Sequence, residues 1–482
     1  MNILILINQA PNYGYTYTKI GKRLKKQGHK ITYALDSTLT FWDYKDCFDK
    51  DDEILIFSDY FKKYPNNIEI KSKELYNKNL WMLFFSDFER INMYGLHKAK
   101  GVEYFKSVIA NLLNFFEEIF STKQIHTILY EGITNFFAYS AYTIGQKYQV
   151  NYFGITATAL PNRFCVEPNP FYDSKSIMDN YYKITKGELQ VDEKDKKWVD
   201  GYYNNFIAIE PDYMKNERKL LNISLFSKYF NTSKVFQILS LLKYFLTYGI
   251  NENRYNFQNP ALKINLAYFK RNIRRKIRLG RINSLYSIKD IEEINTNGKY
   301  LIYPIHFHPE SSTSVLAPQH IDEYYNILNI AIQLPYCYTL LVKEHPSAVG
   351  FSEIDFYKKI KAIPNVKLVH HNVKAKQLIK LSKGVITITN TMGYESLIMG
   401  KKTFLLGRVF YETHPNCVVL NGFNQLFDKI TTEIDKIDSI DPKKYIQAYL
   451  LYTHKGTAVY EKKVNDNFVN EISQLIVRRF ES

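Results

Sequence analysis

Short apolar runs rich in Ile, Leu, Val, Tyr and Phe recur along the chain, each followed by a polar turn and then by a stretch of helical periodicity. Ile3–Ile7, a loop through Gly14, an amphipathic basic helix around Ile20–Lys26 and a second run at Lys30–Ala34 make the first such unit. Runs that are apolar at consecutive positions suit strands covered on both faces by helices, as in a parallel sheet. Further strands are predicted at Ile54–Phe57, Trp81–Phe85, Ile125–Tyr130 and Asn151–Ile155, with helices at Phe105–Phe120 and Phe136–Tyr148. From about 175 to 290 the pattern turns helical, aromatic and basic. Alternation then returns, with strands at Tyr300–Ile305, Tyr338–Val342, Val366–Val369, Val385–Thr389 and Thr403–Leu406. The helices between them fall at Ile321–Gln333, Glu353–Lys361, Ala375–Leu381 and Tyr394–Met399.

At 482 residues the chain is longer than one core usually supports, and its 45% hydrophobic content is ample for two. Crossovers this short and regular predict an α/β protein of two Rossmann-like, doubly wound domains, at 1–165 and 296–420. A helical, basic insertion at 166–295 would join them, and helices in 421–482 would pack back across both. Neither GxGxxG nor GxxxxGK[ST] occurs, which argues against a nicotinamide enzyme or an NTPase.

The formal charge, 64 − 48 = +16, favours negatively charged substrates, a polyanion or an anionic membrane face, with a biased codon usage as the plain alternative. Cys47, Cys165, Cys337 and Cys417 are scattered singly, so neither a zinc site nor a disulfide framework is expected, and a reducing cytoplasm fits. The N-terminus reads as a first strand and not as a signal peptide. The most apolar segment, 235–250, is shorter than a bilayer span and contains Lys243.

Ligands of open α/β sheets bind beyond the carboxyl ends of the strands, so the turns there should carry the chemistry. Three turns of the C-terminal half do so. "YPIHFHPESST" brings His306, His308, Glu310, Ser311, Ser312 and Thr313; "VKEHPSAVG" brings Lys343 and His345; "ITNTMGYES" brings Thr389, Asn390, Thr391, Glu395 and the Gly393 backbone. Histidine, lysine and hydroxyls around a helix N-terminus suit a phosphate. Taken singly, each also has a structural reading: a His-Pro turn, a solvated Lys-Glu pair, an ordinary N-cap. A metal reading of His306 and His308 lacks a third ligand, and Asp49-Lys50-Asp51, in a charged loop, is not read as a metal motif; no metal or cofactor is expected.

Taken together, "HFHPESSTSVLAP", "LVKEHP", "PNVKLV" and "TITNTMGYESLIMGKKTFLLGRVFYE" resemble the bacterial capsule polysaccharide biosynthesis family, which includes Kdo transferases, over roughly 300–412. The resemblance implies a GT-B fold, two Rossmann-like domains facing a cleft, with a CMP-activated sugar in the C-terminal domain. It aligns His308-Pro309, His345-Pro346 and Thr389–Gly393 with Glu395 on the family's motifs, Glu395 tying down a ribose hydroxyl or capping its helix. His308 stands where Gln is usual and Lys402 where Pro is usual, which bears on the donor sugar more than on the fold.

The expected function is therefore metal-independent, inverting transfer of a CMP-linked, Kdo- or sialic-acid-like sugar to a glycan or glycolipid acceptor. The alternatives are a hydrolysing UDP-sugar epimerase and a non-catalytic capsule-assembly component. An inverting transfer needs a base on the acceptor side. Glu131 in "ILYEGITNFF" follows a strand, and its turn resembles a degenerate form of the acidic-acidic-glycine turn of bacterial sialyl- and polysialyltransferases; Asp87, placed after the predicted strand Trp81–Phe85, is second. Residues 270–281, "KRNIRRKIRLGR", read either as a basic helix for the anionic inner face of the cell membrane, with 235–250 adding a wedge, or as a solvated helix with a buried Ile stripe. Nucleic acid is not expected, because no recognised module accompanies the charge.

Overall fold

The computed structural model describes residues 1–93, 100–171, 174–209, 232–249, 261–458 and 460–481. The chain divides into two compact units, Met1–Pro170 with Ser224–Tyr268 and His454–Ser482, and Phe171–Ile223 with Phe269–Thr453. Each is built on a doubly wound, mainly parallel sheet, as the periodicity predicts.

In the first unit β1 (Asn2–Ile7), β2 (Lys30–Leu35), β3 (Glu53–Ile56), β4 (Thr127–Glu131) and β5 (Asn151–Ala157) run parallel. β6 (Arg163–Glu167) pairs antiparallel with β5, giving the order β3-β2-β1-β4-β5-β6, and the two-residue strand His454–Lys455 completes the edge. Ile3 to Ile7 are wholly buried, as a central parallel strand demands. The C-terminal helix Asp466–Glu481 adds Phe468, Ile472 and Ile476 to this core.

One expected strand is corrected: Trp81–Phe85 is a helix. The run "WMLFF" has no β-branched residue, and short apolar runs do not distinguish a strand from a packed helix. In the helix Trp81 and Phe85, four apart, share the exposed side, while Leu83 and Phe84 are buried. Asp87 therefore does not follow a strand.

In the second unit β7 (Lys299–Pro304), β8 (Tyr338–Lys343), β9 (Val366–Val369), β10 (Gly384–Thr387), β11 (Lys402–Leu405) and β12 (Cys417–Val419) are all parallel, in the order β9-β8-β7-β10-β11-β12. Successive strand residues enter different clusters: Leu301 and Tyr303 one, Tyr300 and Ile302 another. Both faces of the sheet are thus packed, which is why its strands read as continuous apolar runs. The strand order reverses between β7 and β10, as it does between β1 and β4 in the first unit, and ligands bind at such points.

The insertion is helical where described. Ser174–Lys186 and Glu193–Asn204 pack on Pro442–Tyr452 in the second unit, and Thr232–Tyr248 belongs to the first. The parts of that expectation at 210–231 and 250–260 lie outside the described residues. In the helix Ala261–Ile282, Arg271 donates to the His308 carbonyl (3.3 Å), Arg275 to those of Val349 (2.7 Å) and Ser347 (3.1 Å), and Arg278 to that of Phe351 (2.8 Å). Arg271 and Arg275 also stack on Phe351. Three of the seven cations of 270–281, read either for a membrane face or as a solvated helix, thus donate to protein carbonyls.

Candidate functional site

In the second unit the ends of β7, β8, β9 and β10 open on one pocket of about 220 Å3. Pro304 and Ile305 line it from β7, Lys343, Glu344 and His345 from β8, His371 and Val373–Lys376 from β9, and Asn390–Met392 with Glu395 from β10. Residues 207–209 of the insertion complete the wall. Lys343, His345, Asn390, Thr391 and Glu395, predicted from separate turns, are thereby brought together.

Each of these side chains is set by a definite contact. Lys343 is buried, with Nζ donating to the carbonyls of Glu344 (3.0 Å) and His371 (2.9 Å), so it ties the β8 and β9 turns together rather than standing as a flexible surface cation. Glu344 accepts hydrogen bonds from Tyr286 and Tyr357; burial raises its pKa to about 6, with the two tyrosines and Lys343 opposing. His345 is pushed down to about 4 by burial, with Lys343 and His306 adding to it. Its Nδ1 accepts the Ser347 N–H (3.2 Å), which leaves Nε2 as the ring's donor. The ring is thus held neutral, with Nε2–H as its donor.

Asn390 is the N-cap of the helix Thr391–Ile398, its side chain accepting from the Met392 N–H (2.9 Å) while its carbonyl accepts the Gly393 N–H (3.0 Å). The expectation that the Gly393 backbone greets an anion is corrected, because that N–H is already bonded. Gly393 is there for packing: a Cβ would lie 2.3 Å from Tyr411 Oη, whose hydroxyl donates to the Asn390 carbonyl (2.6 Å). Glu395 faces Lys376 (Nζ to Oε1 3.6 Å), and Lys376 donates to the carbonyls of Phe206 (2.6 Å) and Ile209 (2.5 Å). Lys376 escaped the sequence reading, since "VKAKQLIK" looks like any amphipathic helix start.

The β7 turn forms a brace around Glu323, also missed. Buried Glu323 accepts from Tyr303 Oη (2.6 Å), the His306 N–H (2.8 Å) and the rings of His306 (3.1 Å) and His308 (3.0 Å). Burial opposes its ionisation, yet the two histidines hold its pKa down at about 2. His306 Nε2 accepts the Thr389 N–H (3.2 Å) and Thr389 Oγ1 donates to the Ser312 carbonyl (2.8 Å), which locks the β7 turn to the β10 turn. The Glu310 carbonyl accepts from the hydroxyls of Thr313 (3.1 Å) and Ser314 (2.9 Å), and Ser312 donates to its carboxylate (3.0 Å) in the short helix Ser311–Ser314. His306, His308, Glu310, Ser312, Thr313 and Thr389 are thus engaged with one another or with Glu323 around the β7 and β10 turns, and Ser311 opens the short helix. Nothing in the local spacing encodes Glu323, which lies 15 and 17 residues from its histidines.

In the first unit Glu131 stands at the end of β4, beside the switch point. It accepts from Tyr13, at the start of the helix that follows β1, and from Thr134. Burial raises its pKa, opposed by Thr134, Tyr13 and Arg90. Asp87 instead accepts the Phe136 N–H (2.8 Å) at the start of the helix Phe136–Lys147 and pairs with Arg90. It is bound as that helix's anionic cap.

Residues 225–414 match the capsule polysaccharide biosynthesis protein family. The family resemblance carried by the motifs is borne out over that stretch. No curated protein matches. Among solved structures, the chain is similar to the beta Kdo 2,4 transferase KpsC of Thermosulfurimonas dismutans, at 11% identity over 69% of this chain and 82% of that one, with a TM-score of 0.37. It is also similar to the UDP-GlcNAc 2-epimerase of Methanocaldococcus jannaschii in complex with UDP-GlcNAc and UDP, at 10% identity, 94% and 100% coverage and a TM-score of 0.28. The corresponding enzyme of Neisseria meningitidis gives 12% identity, 100% and 99% coverage and 0.28.

Proposed function

We propose that the protein is a glycosyltransferase of surface polysaccharide assembly that transfers a sugar, with inversion, from a CMP-linked donor to a glycan acceptor. The observation that carries this reading is the pocket at the reversal of the second sheet, where four strand ends supply Lys343, His345, Lys376 and Glu395 within one capsule-family stretch. A nucleoside monophosphate fits that set: His345 Nε2–H and the lysines meet a single phosphate, and Glu395 accepts from a ribose hydroxyl. This donor set needs no divalent ion to balance one phosphate.

On the acceptor side Glu131 takes the proton from the attacking hydroxyl. The acceptor oxygen bonds to the anomeric carbon, the glycosyl–phosphate bond breaks, and CMP leaves with the electron pair. A carboxylate raised by burial is a stronger base than an exposed one, and Tyr13 and Thr134 orient it.

The test is a nucleotide panel followed by product analysis. CMP is expected to raise the melting temperature more than UMP or UDP, and chelation of divalent ions is expected to leave transfer intact. UDP preference with release of free sugar and no acceptor product would make the chain an epimerase-like hydrolase. Absence of any nucleotide effect would sink the enzyme reading altogether.

A further inference from the structure

The helix Thr232–Tyr248 has two unlike sides. One is anchored to the first unit: Tyr244 is wholly buried against Leu39, with Trp42, Leu241 and Phe245 around it, and Trp42 Nε1 donates to Ser240 Oγ (3.1 Å). The other carries Val235, Phe236, Leu239, Leu242 and Leu246, exposed by 50%, 71%, 55%, 52% and 89%. Positions 235, 239, 242 and 246 recur at alternating spacings of four and three, which aligns them along one stripe. Single exposed apolar residues are ordinary, but a continuous apolar stripe marks an interaction surface.

Charge decides between occupants. The helix itself has Lys234 and Lys243 and no carboxylate. Pairing this stripe with a second copy would set lysine against lysine with nothing to neutralise them, whereas a bilayer with anionic headgroups receives both the apolar stripe and the cations. Among the described residues no helix is long and apolar enough to cross a membrane, so a bilayer would receive this one at its surface.

We propose that the outer stripe of Thr232–Tyr248, centred on Phe236, Leu239, Leu242 and Leu246, docks the protein on an anionic lipid surface. This holds whatever reaction the pocket serves.

The experiment is co-sedimentation of the full chain with vesicles of phosphatidylcholine containing phosphatidylglycerol, against phosphatidylcholine alone. The parent chain should pellet with the anionic vesicles and be released by salt. The double variant Phe236→Glu with Leu246→Glu should bind about tenfold more weakly or worse, since each change removes a large apolar group from the lipid and adds a negative charge. Its melting temperature and its nucleotide affinity should match the parent's, because both side chains face away from the core. Equal pelleting of parent and variant, or no pelleting of the parent, overturns the proposal. So does light scattering that shows a lipid-free dimer dissolved by the same variant, which would give the stripe to a second copy.

Discussion

His345 gives the sharpest test of the pocket. With its pKa pushed down to about 4, charging the ring at pH 7 would cost up to about 4 kcal/mol, more than a charge-assisted hydrogen bond returns. The favoured arrangement is a neutral ring whose Nδ1 is held by the Ser347 N–H and whose Nε2–H donates to phosphate. His345→Ala should then weaken CMP binding by about 1.5–3 kcal/mol, roughly 10- to 150-fold in Kd. His345→Gln, which can offer an N–H at a similar reach, should recover part of the loss. Calorimetry with CMP between pH 5.5 and 8 provides a second readout. A neutral donor predicts affinity that is level above pH 6.5 and falls below it as the phosphate loses its second charge. A cationic His345 predicts affinity that climbs as pH drops through 6.5. That climb, or an unchanged Kd in His345→Ala, would refute the reasoning.

Glu131→Gln should cut turnover by about 100-fold or more while leaving CMP affinity nearly unchanged, measured by steady-state kinetics beside calorimetry. Because burial raises its pKa, the parent rate should be full above that raised value and be lost as pH falls through it, a limb absent from the variant. Glu323→Ala, which strands the buried Tyr303 hydroxyl and both histidines, should destabilise the second unit by about 3–5 kcal/mol in denaturant unfolding. Since Glu323 is held down at about 2, its contribution is whole above the ordinary carboxylate range and disappears as pH falls through about 2, and acid titration of Glu323→Gln should lack that loss. Gly393→Ala should cost about 1–3 kcal/mol by driving a methyl into Tyr411, and Tyr411→Leu in the same chain should relieve most of it, read by thermal unfolding.

Local sequence determined the elements and, through them, the fold class. β7 to β11 lie within a residue or two of their predicted places because a strand buried on both faces must be apolar at consecutive positions and must end where the chain turns polar. The strand ends followed, and with them Lys343, His345, Asn390, Thr391 and Glu395, since ligands gather there. Where the local signal is ambiguous it failed: "WMLFF" satisfies helix and strand alike, and only its packing made it a helix, taking Asp87 off the strand end. The division of labour among the polar residues was decided by tertiary structure alone. His306 and His308 look like ligands in sequence, but Glu323 lies inside the fold and claims both, while Lys376, unmarked in its helix, is turned into the pocket. Local spacing sets which side chains leave one strand end together; which of them stays open to a ligand depends on partners tens of residues away, and that information exists only once the sheet has closed around them.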